Sequence, residues 1–150
     1  NGCLLLNVGP KADGSICEEE VQMLNEIGEW LDVNGEAIYD SHPWRVQAEG
    51  NTEVVEGMFS EEGRKDFDST DVRFTCREDC IYIIPMQQHG EDVIVKSMGE
   101  ESKDFHGIIT EFSVLGYDQK PVYTREADNM IIHAPFVDSD KPVVYRMRLK

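Results

Sequence analysis

Positive charge is scarce in this chain. It holds 14 Lys and Arg against 30 Asp and Glu, a formal charge of −16. A surface of that sign repels phosphate backbones and anionic headgroups, which argues against nucleic acid or membranes as partners. No apolar run approaches the roughly 20 residues of a membrane-spanning helix, and no secretory leader is present. Cysteine is sparse too: four in 150 residues do not make a disulfide scaffold. No CxxC pair, EF-hand loop or nucleophile elbow occurs, so no metal or other cofactor is expected. Repeats and low-complexity segments are also lacking.

What is present begins at once. Leu4-Leu5-Leu6-Asn7-Val8-Gly9-Pro10 is an apolar run without alternation, the pattern of a strand buried on both faces of a parallel sheet. Such a strand needs neighbours reached by crossovers of a dozen or more residues, yet only Asn1-Gly2-Cys3 precede it. The expectation is that its partners lie in a preceding part of a larger protein or in another chain. A turn-rich loop, Lys11-Ala12-Asp13-Gly14-Ser15, follows. Val21, Leu24, Ile27 and Leu31 then recur at helical spacing behind Glu18-Glu19-Glu20, and Asn34-Gly35 closes the helix. This is one βα unit, without a closed core of its own.

Residues 36–50 read as an irregular connector holding Pro43 and Trp44, and 51–70 as an acidic polar stretch. Trp44 is expected to be buried where the two parts meet. From Asp71 the pattern changes to short period-two strands. The candidates are Val72–Thr75, Cys80–Met86, Val93–Ser97, Ile108–Leu115, Pro121–Thr124, Asn129–Ala134 and Val143–Leu149. Turn residues separate them, including Glu78-Asp79, His89-Gly90 and Gly116-Tyr117-Asp118. The fold class expected is mainly β: an antiparallel β-sandwich at 51–150, preceded by one βα unit and connector at 1–50. Cys76 and Cys80 flank Arg77-Glu78-Asp79 and are candidates to face each other across a hairpin, as free thiols or as a disulfide.

Three stretches of this sequence resemble the α-L-fucosidase family of glycoside hydrolases. Asn1–Pro10 with Ala12-Asp13-Gly14 looks like the last strand and following loop of that family's (β/α)8 barrel. Ile27-Gly28-Glu29-Trp30-Leu31 running into Asn34-Gly35-Glu36-Ala37-Ile38-Tyr39 and Pro43-Trp44 is similar to its last helix and exit segment. Asp71–Thr75, Ile81-Tyr82 and Val93–Ser97 look like the start of its C-terminal sandwich. The resemblance implies the C-terminal part of a retaining exo-acting enzyme that removes terminal α-L-fucose from glycans. The implied partners are fucosylated glycans and the missing catalytic barrel. The implied parent is secreted, periplasmic or lysosomal. The segment itself would complete and buttress the barrel. The alternative is a non-catalytic carbohydrate-binding or scaffold module.

A retaining glycosidase needs two carboxyl groups about 5–5.5 Å apart, at the C-terminal ends of barrel strands. The resemblance places both upstream of Asn1, so no catalytic residue is assigned here. Asp13 has a turn role in Ala-Asp-Gly. Asn7, near the end of the opening strand, is the one candidate substrate-binding residue; its competing role is a buried amide paired with backbone. His42, His89, His106 and His133 show no ligand spacing, and Asp66, Asp68 and Asp71 read as a solvated acidic loop. Tyr117 and Tyr123 flank one turn and are the only candidate aromatic pair for a sugar platform.

Overall fold

The computed structural model describes residues 4–52, 65–87 and 92–150. Expectations that fall on Cys3, on 53–64 and on His89-Gly90 lie outside the described residues. Helix α1 spans Glu18–Asn34, with Glu18, Glu19 and Glu20 in its first turn, where carboxylates complement the helix dipole. Gly35 ends it with its N–H on the Leu31 carbonyl, but at φ −58° it does not reverse the chain in a left-handed cap. The backbone continues into a 3-10 turn, Gly35–Ala37. A Cβ there would lie 2.8 Å from the ring of the exposed Tyr39, which would have to swing aside.

Eight strands follow among the described residues: β1 His42–Glu49, β2 Val72–Arg77, β3 Cys80–Pro85, β4 Val93–Val95, β5 Ile109–Val114, β6 Val122–Arg125, β7 Met130–His133 and β8 Tyr145–Leu149. They form a five-stranded sheet in the order β1-β2-β3-β8-β5 and a three-stranded sheet in the order β4-β7-β6. Every pairing is antiparallel. All seven expected strands are present, most trimmed by a few residues. Val93–Ser97 stops early because Glu49 accepts the backbone N–H groups of Lys96 (2.6 Å) and Ser97 (2.8 Å). That carboxylate draws the chain off the ladder and into the 3-10 turn Lys96–Met98.

Strand β1 corrects the connector expected at 36–50. The sheet's first strand lies on the N-terminal side of the boundary drawn between residues 50 and 51. Pro43 signals a break in sequence, yet β1 is an edge strand, where a missing N–H is tolerated. A register shift between Pro43 and Ala48 also hides the period-two pattern.

The architecture has three layers. Trp44, Phe74, Ile81, Ile83, Tyr145 and Met147 meet Val93, Val95, Met130 and Ile132 between the sheets. On the other face of the large sheet, Cys80, Tyr82, Ile84 and Val144 pack with Ala37, Leu115 and Trp30. Strand β3 is therefore buried along its whole length. Cys76 pairs with Ile81, and Cys80 with Arg77. The two thiols belong to opposite faces, Cys76 beside the inter-sheet core and Cys80 in the outer cluster. Side chains alternate along a strand, so the expected facing pair does not form, and both cysteines are free.

The opening run corrects a second expectation. Residues 4–10 carry no strand, and Leu4 and Leu5 are 88% and 92% exposed. A strand exists only through hydrogen bonds to a neighbour, and among the described residues none stands beside it. The α1 stripe shares this state, with Val21 and Ile27 exposed.

The C-terminal half of α1 is held firmly. Trp30 Nε1 donates to the Pro142 carbonyl at 2.7 Å, and Lys141 Nζ reaches Glu29 at 3.2 Å. Gly116, at φ +76°, lies under the helix, where a Cβ would be 2.2 Å from Val33 Cγ1. Gly116→Ala is expected to cost about 1–2 kcal/mol from the left-handed backbone alone. Urea titration measures this, and a midpoint equal to that of the unsubstituted chain would contradict the packing described.

Candidate functional site

The loop after the opening run is ordered by its own short bonds. Lys11 N–H donates to the Ser15 carbonyl (2.7 Å) and Gly14 N–H to the Lys11 carbonyl (2.9 Å). Gly14 takes φ +84°. Asp13 Oδ1 accepts from the Ser15 hydroxyl (2.7 Å) and the Ser15 N–H (3.0 Å). These bonds hold the Asp13 carboxyl below its ordinary value. This is an Asx turn, the role expected of Asp13. Asn7 is exposed, as are Leu4, Leu5 and Leu6 in the same run.

A hollow of 570 Å³ lies along α1, between Glu18, Val21, Gln22, Glu26 and the Asp140-Lys141 turn. Neither Asn7 nor Asp13 lines it. Several ordered carboxylates elsewhere are committed to structure. Glu36 accepts from Tyr82 Oη at 2.8 Å and from Arg146 at 3.4 Å. Burial, then the Glu36 carboxylate, pushes the Tyr82 phenol well above its ordinary value. Glu111 is shared by Arg146 (3.1 Å) and Arg148 (3.6 Å). Glu49 is held by two backbone N–H groups.

Asp71 departs from the solvated loop expected of it. It is completely buried and accepts from Thr52 Oγ1 (2.6 Å), Asp68 N–H (2.7 Å) and Thr52 N–H (3.1 Å). Gly50, at φ +133°, passes so close that a Cβ would lie 2.6 Å from the Asp71 Cα. Burial alone would raise the carboxyl, but the Thr52 and Asp68 bonds, with the Arg73 charge, outweigh it and lower the pKa.

Sequence spacing also missed a three-residue relay. Thr124 Oγ1 is 3.0 Å from His133 Nε2, and His133 Nδ1 is 2.9 Å from Asp92 Oδ2. The ring and the carboxylate are 43% and 53% exposed, on the solvent face of the small sheet. It ties the start of β4 to β6 and β7. Tyr117 and Tyr123 both pack against the inter-sheet core, and Tyr123 meets Phe112 edge-on at 5.5 Å.

The first 36 residues, the loop and helix just described, match the α-L-fucosidase family model. The rat tissue α-L-fucosidase is 54% identical over 54 residues, 36% of this chain and 12% of the relative. An α-L-fucosidase of Dictyostelium discoideum is 56% identical over 46 residues, 31% of this chain and 10% of the relative. The solved α-fucosidase of Thermotoga maritima superposes on 95% of this chain with a TM-score of 0.69 and 24% identity. A further solved α-L-fucosidase covers 96% at a TM-score of 0.68 and 25% identity. Over these stretches the chain is similar to the C-terminal part of α-L-fucosidases. It spans about a tenth of the curated relatives in aligned length, and 28–30% of those two solved chains. The Thermotoga likeness runs through the sandwich and extends the fold match well past residue 36. Among the described residues no helix is long and apolar enough to cross a membrane.

Proposed function

We propose that the chain is the C-terminal part of a retaining exo-α-L-fucosidase that hydrolyses terminal α-L-fucose from glycans. It completes and buttresses the catalytic barrel and carries none of the catalytic carboxylates. The division is functional: the opening run and α1 belong to the barrel, and the sandwich, beginning with β1, supports them. The observation behind this reading is the two-sidedness of α1. One side is bonded and packed onto the sandwich through Trp30, Glu29 and Val33. The other presents Val21 and Ile27 uncovered, and Leu4 and Leu5 of the opening run are uncovered as well. Residues patterned for burial but left bare fit a barrel neighbour. Asn7 is proposed to lie at the barrel mouth, where an exposed amide can hydrogen-bond a sugar hydroxyl. Tyr117 and Tyr123 pack against the inter-sheet core, which favours support of the barrel over a sugar platform.

The 150-residue chain alone is expected not to hydrolyse an aryl α-L-fucoside. Turnover that disappears when one of its own Asp or Glu residues is replaced would overturn the reading. Titration of the whole 150-residue chain with fucosylated oligosaccharides, followed residue by residue, provides a second check. Specific binding on the sandwich would favour the module.

A further inference from the structure

A second hollow, of 230 Å³, opens in the seam between the C-terminal half of α1 and the sandwich. The helix lines it with Glu29, Trp30 and Asn34, the sandwich with Tyr117 and the turn at 138–141. Asn34 is only 4% exposed. Its Nδ2 donates to the Trp30 carbonyl at 3.1 Å, which fixes the orientation of the amide, since two carbonyl oxygens face to face would repel. Its Oδ1 is buried and accepts from nothing. A buried acceptor left without a donor is costly. Three donors around the hollow are engaged already. Trp30 Nε1 donates to the Pro142 carbonyl (2.7 Å), the Ser139 hydroxyl to the Lys141 carbonyl (3.0 Å), and Lys141 Nζ is drawn to Glu29 (3.2 Å). The acceptors are in surplus. Asp138 and Asp140 are exposed, and among the described residues neither meets a cation. With Glu29 they set three negative charges against the one of Lys141. The hollow therefore suits a ligand that donates, does not accept and carries positive charge. A primary ammonium has three N–H donors and no acceptor. A sugar hydroxyl or a water brings lone pairs that need donors in turn. Trp30 and Tyr117 add aromatic surface, which attracts cations, and Val33 and Val143 add apolar wall for an alkyl stem. Pockets for drug-sized ligands run to about 300–1,000 Å³, so this one fits something smaller.

We propose that the seam between α1 and the sandwich binds a short aliphatic amine, one ammonium seated on Asn34 Oδ1 and balanced by Asp138 and Asp140. The alkyl stem lies along Trp30 and Tyr117. In a diamine the second ammonium stays at the rim, beside the two aspartates. Binding is non-covalent and moves no proton or electron. An occupant touches both the helix and the turn at 138–141, so it tightens the contact that Trp30 makes with Pro142. The proposal does not rest on the catalytic reading above.

Titration of 1,4-diaminobutane into the whole chain, at constant pH and ionic strength and followed by proton–nitrogen nuclear magnetic resonance, tests the site. The side-chain amide of Asn34 and the indole N–H of Trp30 are expected to shift saturably. The indole N–H of Trp44, which is buried between the sheets, should not move. Butane-1,4-diol, the same stem with hydroxyls in place of ammonium groups, should leave all three signals in place. Asp138→Asn and Asp140→Asn should each weaken binding about 2–5-fold, the size of an exposed ion pair. Both aspartates are exposed, so neither exchange threatens the fold. Four results would each overturn the proposal. They are the absence of a saturable shift, the same shift with sodium chloride alone, an equal response to the diol, and unchanged affinity in both variants. The first would leave only water at Asn34, and the third would make the hollow a site for neutral hydroxyls.

Discussion

Trp44→Ala is expected to lower the stability of the chain by about 3–5 kcal/mol, the range for deleting a buried tryptophan. The indole is only 8% exposed. Its ring centroid lies 5.4 Å from that of Phe74 and 6.4 Å from that of Phe105. Phe74 comes from the neighbouring strand, and Phe105 from the segment between the Lys96–Met98 turn and β5. One side chain therefore secures an edge strand to two separate pieces of the sandwich. A tryptophan buries about 150–250 Å², and at an edge no outer strand compensates for its loss. Urea unfolding followed by far-ultraviolet circular dichroism measures the effect. A loss below about 1 kcal/mol would place the ring in a site that water or neighbours refill. Trp44→Phe should recover part of the loss, because it keeps an aromatic against Phe74.

Asp71→Asn is expected to destabilise by about 3 kcal/mol, from charge-assisted bonds lost in a buried site. The carboxylate accepts three bonds, two from N–H groups and one from a hydroxyl. An amide supplies one acceptor oxygen in place of two and turns an N–H₂ toward other donors. The pH dependence follows from the lowered pKa of Asp71. In the unfolded chain the group titrates near its ordinary value of 3.8; in the folded chain it releases its proton at lower pH. Its contribution is therefore complete above the unfolded pKa and is lost as pH falls through the folded one. Stability of the unsubstituted chain should decline more steeply below pH 4 than that of Asp71→Asn. Parallel acid profiles would mean that Asp71 is not held as the anion.

The sandwich strands were readable because period-two alternation and turn residues coincide from Val72 to Leu149. Helix α1 was readable for the same reason at helical spacing, though its stripe is not covered by this chain. Strand β1 was hidden by Pro43 and a register shift, since edge position is a tertiary property. Asp71 was misread because an acid among others in a polar stretch is usually solvated. Nothing local announces that Thr52, nineteen positions earlier, will close over it. The Thr124–His133–Asp92 relay depends on cross-strand register, which spacing along the chain does not encode. Cys76 and Cys80 show the converse. Their closeness in sequence invites a pairing that alternation forbids.

Strand β8 is the latest strand in chain order but sits inside the five-stranded sheet, between β3 and β5. During synthesis β1, β2 and β3 can assemble as a meander, while β5 has no sheet to join. Until Tyr145–Leu149 emerges from the ribosome, the open edge of β3 offers unpaired backbone groups beside Ile81, Tyr82 and Ile83. Exposed edges of that kind recruit other chains, and late, long-range pairing is slow. The nascent protein thus passes through a sticky interval that ends when β8 inserts and joins the two halves of the sheet.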